Sequence, residues 1–443
     1  MQSWVRPQDH PIRDLIALLV VWKALLLLLS ICSPGVGYDT STSLFYTEHD
    51  HDHGEQLPLA LRYIVGKLTR WDGIYFVKIS RRGYLFEQEW AFGWGFTRVI
   101  ALCSHVLRNF GVPDYVGLEG LVAICIAHLS HFLSVIAVFS LTRALFSNYS
   151  VTFAFKAALF HIISPAGLFL SSPYAESSCA LLSFIGCLLF TNSIVHHGPN
   201  SASHDALVLL SGICFGLATT FRSNGILNGL LLLEEAFRTL LALKNGLQIS
   251  VIRRLLATGL GGMCVGAGFL VPQFIAYREY CGGTTPDMRP WCQRAIPSIY
   301  TFVQDYYWNC GFLRYWTVSN LPLFLLAAPM FLILTKSGLW ALSFNFSERQ
   351  DQIDKGQKTG EGVAAQQVLR NLAATQLALV VLTLSTAHVQ IITRISSAFP
   401  VWLWYGVLAS QDGKTVLVNG FVRFMVIYAL VQAGLYASFL PPA

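Results

Sequence analysis

Hydrophobic segments long enough to cross a bilayer recur from the start of the chain to its end. Of its 443 residues, 54% are hydrophobic and only 12% are charged, whereas about a quarter of the residues in an ordinary soluble protein are charged. No polar stretch between the apolar segments is long enough to build a core of its own. We therefore predict an all-α polytopic membrane protein in which residues 1–443 form a single multispan domain.

The apolar segments predict about 11 transmembrane helices. Their approximate positions are 15–32, 116–141, 151–170, 174–195, 205–221, 225–243, 253–276, 318–336, 366–386, 396–410 and 416–439. Arg6 and Arg13 precede the first segment, so the positive-inside rule places the N-terminus in the cytosol. A cleaved signal peptide is the alternative for this segment. Lys23 within it, and the lack of a small-residue cleavage site after it, favour a retained anchor.

Alternation of the spans places two long polar segments on the far, lumenal side of the membrane. These are a first lumenal loop, 33–113, and a second large lumenal loop, 277–317. The loops 244–254 and 337–365 fall on the other side and carry several Lys and Arg residues, as is typical of cytosolic loops. The first lumenal loop is also basic, which is tolerated because long loops are translocated with little regard to charge.

The composition argues against several kinds of site. The net charge of +6 is spread over many loops without a basic patch interleaved with aromatics, so nucleic acid is not a predicted partner. The acidic and histidine residues at 48–53 are predicted to be a solvated loop, with a metal site as the alternative. No Cys or His spacing indicates zinc. Cys281, Cys292 and Cys310 share one polar loop, which leaves the existence and pairing of a disulfide open.

Charged and aromatic residues are concentrated in one stretch of the first lumenal loop. It reads Arg70-Trp71-Asp72-Gly73-Ile74-Tyr75-Phe76 and continues to Glu87-Gln88-Glu89-Trp90-Ala91-Phe92. Carboxylates beside flat apolar rings suit a site that handles a sugar, because a carboxylate accepts a proton from a hydroxyl. The alternative is an aromatic belt at the membrane interface, with Asp72 in a salt bridge to Arg70. Glu89 is predicted to pair with Arg81 or Arg82.

Further polar residues fall at the ends of spans on the same side of the membrane. They are Glu176, Arg222, Asn224, His388 and Arg394. Ionisable groups at such positions are costly and tend to line cavities or bind something. Each has a structural alternative, because nearby prolines break helices unaided and long basic side chains anchor span ends at the interface. Together they predict a polar pocket that faces the lumen and is roofed by the two lumenal loops.

Several stretches together resemble the PIG-V family of mannosyltransferases. They are Arg70-Trp71-Asp72-Gly73-Ile74-Tyr75-Phe76, Gly83-Tyr84, Glu87-Gln88-Glu89-Trp90-Ala91-Phe92, Ser164-Pro165-Ala166, Ser172-Pro173-Tyr174-Ala175-Glu176-Ser177, Phe221-Arg222-Ser223-Asn224-Gly225, Ala295-Ile296-Pro297-Ser298-Ile299-Tyr300, Tyr306-Tyr307-Trp308-Asn309 and His388-Val389-Gln390-Ile391-Ile392-Thr393-Arg394-Ile395. Each stretch has little specificity alone, but the set covers nearly the whole chain in order. The chain has Gly93-Trp94-Gly95-Phe96 where many members have a proline-containing stretch, and in this it resembles fungal members.

The resemblance implies a GT-C type glycosyltransferase in the endoplasmic reticulum membrane, with its active site on the lumenal side. It implies dolichyl phosphate mannose as donor and a mannosylated glucosaminyl-phosphatidylinositol as acceptor. The product would carry the second mannose of a glycosylphosphatidylinositol (GPI) precursor, in α-1,6 linkage, formed with inversion. We expect neither a cofactor nor a metal. For fungal members the resemblance also implies a small partner subunit in the same membrane.

With this reaction in view, Asp72 is predicted to be the catalytic base that deprotonates the acceptor hydroxyl, since inversion needs no second, nucleophilic carboxylate. The other candidates are predicted to bind substrate. They are Arg70, Trp71, Tyr75, Glu87, Glu176, Arg222, Asn224, His388 and Arg394. Among these, Arg222, Arg394 and His388 are candidates for the donor phosphate, because of their charge and their side of the membrane.

Two other classes of function remain as alternatives. A membrane transporter would use the same lumenal polar pocket, but it also needs polar groups near the bilayer midplane and a path to the cytosol. The spans carry few such groups, His128 and His131 among them. A different dolichol-dependent GT-C mannosyltransferase is the second alternative. The Trp71-Asp72 motif, in place of an Asp-x-Asp pair, argues against it.

Overall fold

The computed structural model describes residues 7–34, 55–198, 200–282, 289–346 and 360–438. The regular structure in these ranges is helical, without a β-strand. The helices are α1 (Pro11–Cys32), α2 (Leu59–Leu68), α3 (Asp72–Arg82), α4 (Trp94–Asn109), α5 (Leu118–Leu145), α6 (Val151–Ile162), α7 (Glu176–Thr191), α8 (Ala202–Phe221), α9 (Gly229–Ala242), α10 (Ile249–Cys281), α11 (Ile299–Tyr306), α12 (Leu321–Ser343), α13 (Gly360–Thr386), α14 (Val401–Gln411) and α15 (Thr415–Ser438). The predicted all-α polytopic class is confirmed. The acidic and histidine stretch at 48–53 lies outside the described residues.

Eight helices in these ranges are long and apolar enough to cross a membrane. They are α1, α5, α7, α8, α10, α12, α13 and α15. The segments Val389–Ala398 and Val401–Gln411 together have the length and apolarity of a ninth, but they meet at a bend of 86°. The predicted spans 151–170 and 225–243 contain only the shorter helices α6 and α9. The predicted count of about 11 spans is therefore not confirmed.

Local sequence explains why these two helices are short. α6 ends at Ile162, just before Ser164-Pro165, because a proline ring clashes with the preceding helical turn. The chain then forms the short 3₁₀ helix Gly167–Leu170 and turns towards α7. α9 begins only after the 3₁₀ turn Ser223–Asn228, so it spans 14 residues. Both interruptions lie at the end of the bundle where the predicted polar residues collect.

Helices α8 and α10 cross at very short distance because glycines meet at the crossing. A Cβ atom on Gly212 would lie 2.3 Å from Cα of Gly261, and one on Gly268 would lie 2.2 Å from the carbonyl oxygen of Gly216. Small residues at such crossings allow the backbones of membrane helices to approach closely. The crossing fixes the C-terminal end of α8, which leads directly into Arg222.

A lysine of helix α1 hydrogen-bonds to the segment that precedes α7. Lys23, which is 9% exposed, donates hydrogen bonds to the carbonyl of Leu170 at 2.7 Å and to Oγ of Ser171 at 2.8 Å. A buried ammonium group requires such acceptors because leaving water is costly. The residue that indicated a retained anchor in the sequence therefore holds the turn that leads to Glu176.

Candidate active site

Asp72 is the first residue of α3 and follows a residue with an unusual backbone conformation. Trp71 has a φ angle of 55°. Such a conformation costs a non-glycine residue about 1–3 kcal/mol and persists only where the surroundings enforce it. A carboxylate at a helix N-terminus is stabilised by the helix dipole. The Asp72 side chain remains 40% exposed and faces a cavity.

Asp72 belongs to a cluster of two carboxylates and two arginines. Arg394 approaches Oδ2 of Asp72 with Nη2 at 3.4 Å and Nη1 at 3.5 Å. Its Nε lies 3.5 Å from Oε1 of Glu176, which also accepts a hydrogen bond from Nη1 of Arg222 at 2.5 Å. Glu176 is buried, so its charge needs these partners. The structure thus brings together four of the charged residues that the sequence predicted.

Asp72 opens onto a cavity of about 380 Å³, within the size range of small-molecule sites. The sequence-predicted residues that line it are Asp72, Arg222, Asn224, His388 and Arg394. Aromatic side chains that line it are Trp90, Phe92, Trp94 and Trp308. Among the described residues of the lining, Asp72 is the one carboxylate. In the part of the chain that the structure describes, the cavity therefore combines a single carboxylate with cationic groups and flat apolar walls.

A neutral polar wall of the same cavity was not predicted from the sequence. Oε1 of Gln273 accepts hydrogen bonds from Oγ of Ser298 at 3.0 Å and from the backbone N–H of Tyr300 at 3.1 Å. This fixes the orientation of the amide and leaves its NH₂ group for the cavity. The Tyr300 hydroxyl lies 2.7 Å from Oγ of Ser223, next to Arg222. Gln273 lies in an apolar run, and no sequence signal singles it out.

His388 lines the cavity with one ring nitrogen already engaged. Its Nε2 lies 2.9 Å from the carbonyl oxygen of Trp308, and its ring packs on Tyr315 with centroids 4.7 Å apart. A nitrogen that faces a carbonyl carries the proton, so the neutral ring offers only an acceptor at Nδ1. The predicted phosphate role of His388 therefore requires the imidazolium form.

Glu87 lies away from the cavity and joins the two loops that the sequence predicts to be lumenal. It is 4% exposed and accepts hydrogen bonds from Nε of Arg289 at 2.7 Å and Nε1 of Trp291 at 2.8 Å. The Tyr307 hydroxyl donates to it from 3.5 Å. Burial by itself raises the pKa of Glu87, but the hydrogen bonds from Arg289 and Trp291 outweigh it, so the pKa lies below its usual value. Glu87 therefore links two segments that are distant in sequence, and we call Glu87 with Arg289, Trp291 and Tyr307 the Glu87 clamp.

The other residues of the motif lie behind the cavity wall. Tyr75 stacks on Phe92, with ring centroids 4.7 Å apart and planes 11° from parallel. Arg70 is buried and Trp71 is half-buried, and neither lines the cavity. Glu89 pairs with Arg82, one of its two predicted partners, at 2.6 Å.

The open question of the disulfide is resolved in favour of one pair. Cys281 at the end of α10 is bonded to Cys292 in the short helix Pro290–Gln293. This bond closes the loop that carries Arg289 of the Glu87 clamp. Cys310 is not disulfide-bonded and lines the cavity.

Comparison with known proteins identifies the reaction class. The family model described as Mannosyltransferase (PIG-V) matches residues 12–443. The chain belongs to this family. It is therefore a glycosyltransferase that transfers mannose, and the assignment made from its motifs is confirmed.

Fungal relatives are similar to this chain over most or all of their length. A protein named GPI mannosyltransferase 2 from Gibberella zeae is 42% identical, over 98% of this chain and 99% of its own. One of the same name from Chaetomium globosum is 43% identical, over 98% of this chain and 97% of its own. The Schizosaccharomyces pombe protein of that name is 32% identical, over 84% of this chain and 73% of its own.

Among solved structures, the chain has a distant likeness to an oligosaccharyltransferase from Archaeoglobus fulgidus. The alignment covers 100% of this chain and 57% of the archaeal one, with 13% sequence identity and a TM-score of 0.47. A likeness at this level carries no argument about the site.

Proposed function

We propose that this mannosyltransferase adds the second mannose to GPI precursors in the endoplasmic reticulum membrane, as a GT-C type enzyme with a lumenal site. The donor is dolichyl phosphate mannose, and the acceptor is a glucosaminyl-phosphatidylinositol that carries one mannose. The new bond is α-1,6. The observation that carries the proposal is an aromatic-walled cavity in which one accessible carboxylate, Asp72, pairs with Arg394 and shares the cavity lining with Arg222. The name shared by the fungal relatives supports the choice of substrate.

Asp72 acts as the base in this proposal. Arg394 approaches only Oδ2, and Oδ1 has no hydrogen-bond partner among the described residues. Oδ1 is therefore placed to take the proton from the acceptor 6-hydroxyl. The acceptor oxygen forms its bond to the anomeric carbon while the bond from that carbon to the phosphate oxygen breaks. The electron pair leaves with dolichyl phosphate, and the single displacement inverts the anomeric carbon, as one carboxylate base requires.

The leaving phosphate gains negative charge and needs donors fixed in advance. Arg222 uses Nη1 for Glu176, and its other guanidinium nitrogens have no partner among the described residues. Gln273 lines the same cavity, and its NH₂ group has no hydrogen-bond partner among the described residues. We assign Arg222 and Gln273 to the donor phosphate, and Arg394 to orienting the Asp72 carboxylate.

The test replaces Asp72 by Asn in microsomes supplied with labelled dolichyl phosphate mannose and one-mannose acceptor. Asp72→Asn keeps the shape of the side chain but cannot accept the proton, so transfer is expected to be abolished while the protein still accumulates in the membrane. Asp114→Asn is the matched control, because Asp114 directly follows the first lumenal loop but pairs with Arg81 and Arg108 on the surface. Full activity of Asp72→Asn would overturn the assignment of the base.

The place in the sequence of mannose additions has its own test. Cells that lack the protein are expected to accumulate GPI precursors with a single mannose, which mass spectrometry of the lipid fraction distinguishes. Accumulation of a two-mannose precursor would assign the enzyme to a later step.

The proposal includes a small membrane partner subunit, which the family resemblance implies for fungal members. Gentle detergent extraction of the tagged chain is expected to recover a second small membrane protein in constant ratio. Recovery of the chain alone with full activity would remove the partner from the proposal.

A further inference from the structure

Three aromatic rings pack together beneath Asp72 and Arg394. Tyr174 lies 5.0 Å from Phe169 between ring centroids, and Tyr436 of α15 lies 5.8 Å from Phe169 and 6.1 Å from Tyr174. All three rings are buried. We call this group the ring platform. None of the three lines the cavity, so the platform does not contact a substrate held there.

The hydroxyl groups of the platform hold the backbone that leads to Asp72. The Tyr436 hydroxyl donates to the carbonyl of Leu68 at 2.8 Å and lies 3.3 Å from that of Arg70. The Tyr174 hydroxyl reaches the Arg70 carbonyl at 3.4 Å. A Cβ atom on Gly73 would lie 3.3 Å from the Tyr174 ring and 3.6 Å from the Tyr436 oxygen, so both side chains pack directly on the backbone after Asp72.

The backbone at Trp71 is strained, and contacts from outside the segment help to maintain its conformation. Trp71, between the two held carbonyls and Asp72, has its φ angle at 55°. A tryptophan side chain disfavours this region, which only glycine adopts freely. The backbone N–H of Gly73 donates to the carbonyl of Arg70 at 2.9 Å and closes a turn around Trp71, so this turn and the platform hydroxyls together set the direction of the Asp72 carboxylate.

The other side of the platform carries Arg394. Its guanidinium carbon lies 4.9 Å from the centroid of the Phe169 ring and 5.7 Å from that of Tyr174. A guanidinium over an aromatic face is attracted by the ring quadrupole, more strongly when it is shielded from water. One rigid group therefore fixes both partners of the Asp72–Arg394 pair, which lie far apart in sequence.

We propose that Tyr436 is a positioning residue for the transfer reaction: its hydroxyl keeps Trp71 in the strained conformation that aims Asp72 at the acceptor. The inference rests on the proposed function, because it takes Asp72 as the base. It assigns a role to a residue near the end of α15, far in sequence from the motif that it serves.

The first variant removes only the hydroxyl. Tyr436→Phe keeps the ring platform, and thus the seat of Arg394, but removes the hydrogen bond to Leu68. We expect kcat to fall about tenfold, with the KM for donor and acceptor changed by less than about twofold, because a misdirected base affects the transition state and not substrate binding. Tyr405→Phe is the matched control. Tyr405 is also a buried tyrosine of the bundle, packed on Trp340, and its hydroxyl serves no group described in the site.

The second variant tests the strain directly. Trp71→Gly adopts a positive φ angle without a steric penalty, so the segment no longer needs the hydroxyl to stay in place. In the Trp71→Gly background we expect Tyr436→Phe to lower kcat by less than about threefold. If Tyr436 only supported folding, Tyr436→Phe would lower kcat by the same factor in both backgrounds.

The outcomes separate this inference from the proposed function. An active Asp72→Asn enzyme would overturn the base assignment itself. If Asp72→Asn is inactive but Tyr436→Phe keeps full kcat, or raises KM alone, the positioning role is wrong and the base assignment stands. The positioning role would also be overturned if Tyr436→Phe lowered kcat by the same factor in the parent and in the Trp71→Gly background. This comparison requires that both proteins accumulate in the membrane at the level of the parent.

Discussion

At the scale of single residues, the charges around Asp72 balance one another. Arg394 lies between Asp72 and Glu176, and Arg222 is bound to Glu176 alone. Because Glu176 is buried and shared, it neutralises part of each guanidinium without blocking the cavity. This arrangement fits the proposed roles, in which Arg222 binds the donor phosphate through its unpaired nitrogens and Arg394 stays with Asp72.

Gln273 offers a sharp test of the phosphate assignment. Gln273→Glu keeps the oxygen that accepts from Ser298 and Tyr300, but puts a carboxylate where the NH₂ group faced the cavity. Loss of a donor to a charged group and repulsion of the phosphate should lower kcat/KM for dolichyl phosphate mannose by about 10- to 100-fold. Gln293→Glu, on the exposed loop nearby, is the control for added charge. An unchanged kcat/KM in Gln273→Glu would remove Gln273 from the phosphate site.

The sequence predicted the charged residues of the site better than the neutral ones. Asp72, Arg222 and Arg394 stand out because charge is rare in an apolar chain, and the structure places all three on one cavity. Gln273 and Tyr436 carry no such signal, since a neutral polar residue in a span is as often a packing residue. Their roles depend on partners far away in the chain, which no local pattern specifies.

At the scale of elements, the Glu87 clamp predicts how the stability of the protein responds to acid. The pKa of Glu87 in the folded protein is lowered, mainly by hydrogen bonds from Arg289 and Trp291 that outweigh its burial. An unfolded Glu titrates near about 4.3. The stabilisation by the clamp is thus complete above that value and is lost as the pH falls through the lower, folded pKa.

We therefore expect Glu87→Gln to unfold at a lower temperature than the parent at pH 7, with a gap that closes as the pH is lowered from about 5 to 3. Differential scanning fluorimetry in detergent measures both proteins over this range. Glu55→Gln, an exposed carboxylate of the same loop, should leave the curve unchanged. A gap that stays constant down to pH 3 would show that the ionised form of Glu87 does not carry the stability.

The crossing of α8 and α10 predicts opposite effects for two identical substitutions. Gly212→Ala puts a Cβ atom 2.3 Å from Cα of Gly261, so the helices must separate, at a cost of about 1–3 kcal/mol. Gly262→Ala, one residue along α10 from Gly261, meets nothing within 4 Å. It should stabilise the helix by about 0.5–1 kcal/mol, because alanine loses less backbone entropy than glycine. Thermal unfolding of both variants in one detergent decides the point, and equal effects would contradict the close crossing.

Element positions were predictable where long apolar runs exist, as in α5 and α8. The failures lie where a run of similar hydropathy contains a break. The predicted span 151–170 contains Pro165, and the chain forms α6 and then a turn that is held by Lys23. The mean hydropathy of a segment is hardly changed by a single proline. The helix nevertheless ends there, because proline cannot continue it.

At the scale of the whole molecule, Lys414 and Arg253 lie at the end of the bundle opposite the site. α15 starts at Thr415, next to Lys414, and ends near Tyr436, whose hydroxyl bonds to Leu68 just before the motif. α8 ends at Arg222 on the cavity and starts at Ala202, where Arg253 reaches the neighbouring Asp205. Applied to Lys414 and Arg253, the positive-inside rule supports the proposed orientation, in which these ends are cytosolic and the cavity is lumenal.

Two valines test this orientation as a matched pair. Val318 is 90% exposed at the cavity end of α12, and Val416 is 87% exposed at the opposite end of the bundle, in the first turn of α15. In sealed microsomes a membrane-impermeant maleimide should label Val416→Cys directly, and Val318→Cys only after the membrane is permeabilised. The sequons at Asn148 and Asn345 should carry no glycan, because α5 and α12 both run away from the cavity before reaching them. Labelling in the reverse order, or a glycan at either asparagine, would place the cavity on the cytosolic side. The proposed acceptor would then have to lie in the cytosolic leaflet, which would contradict the proposed orientation.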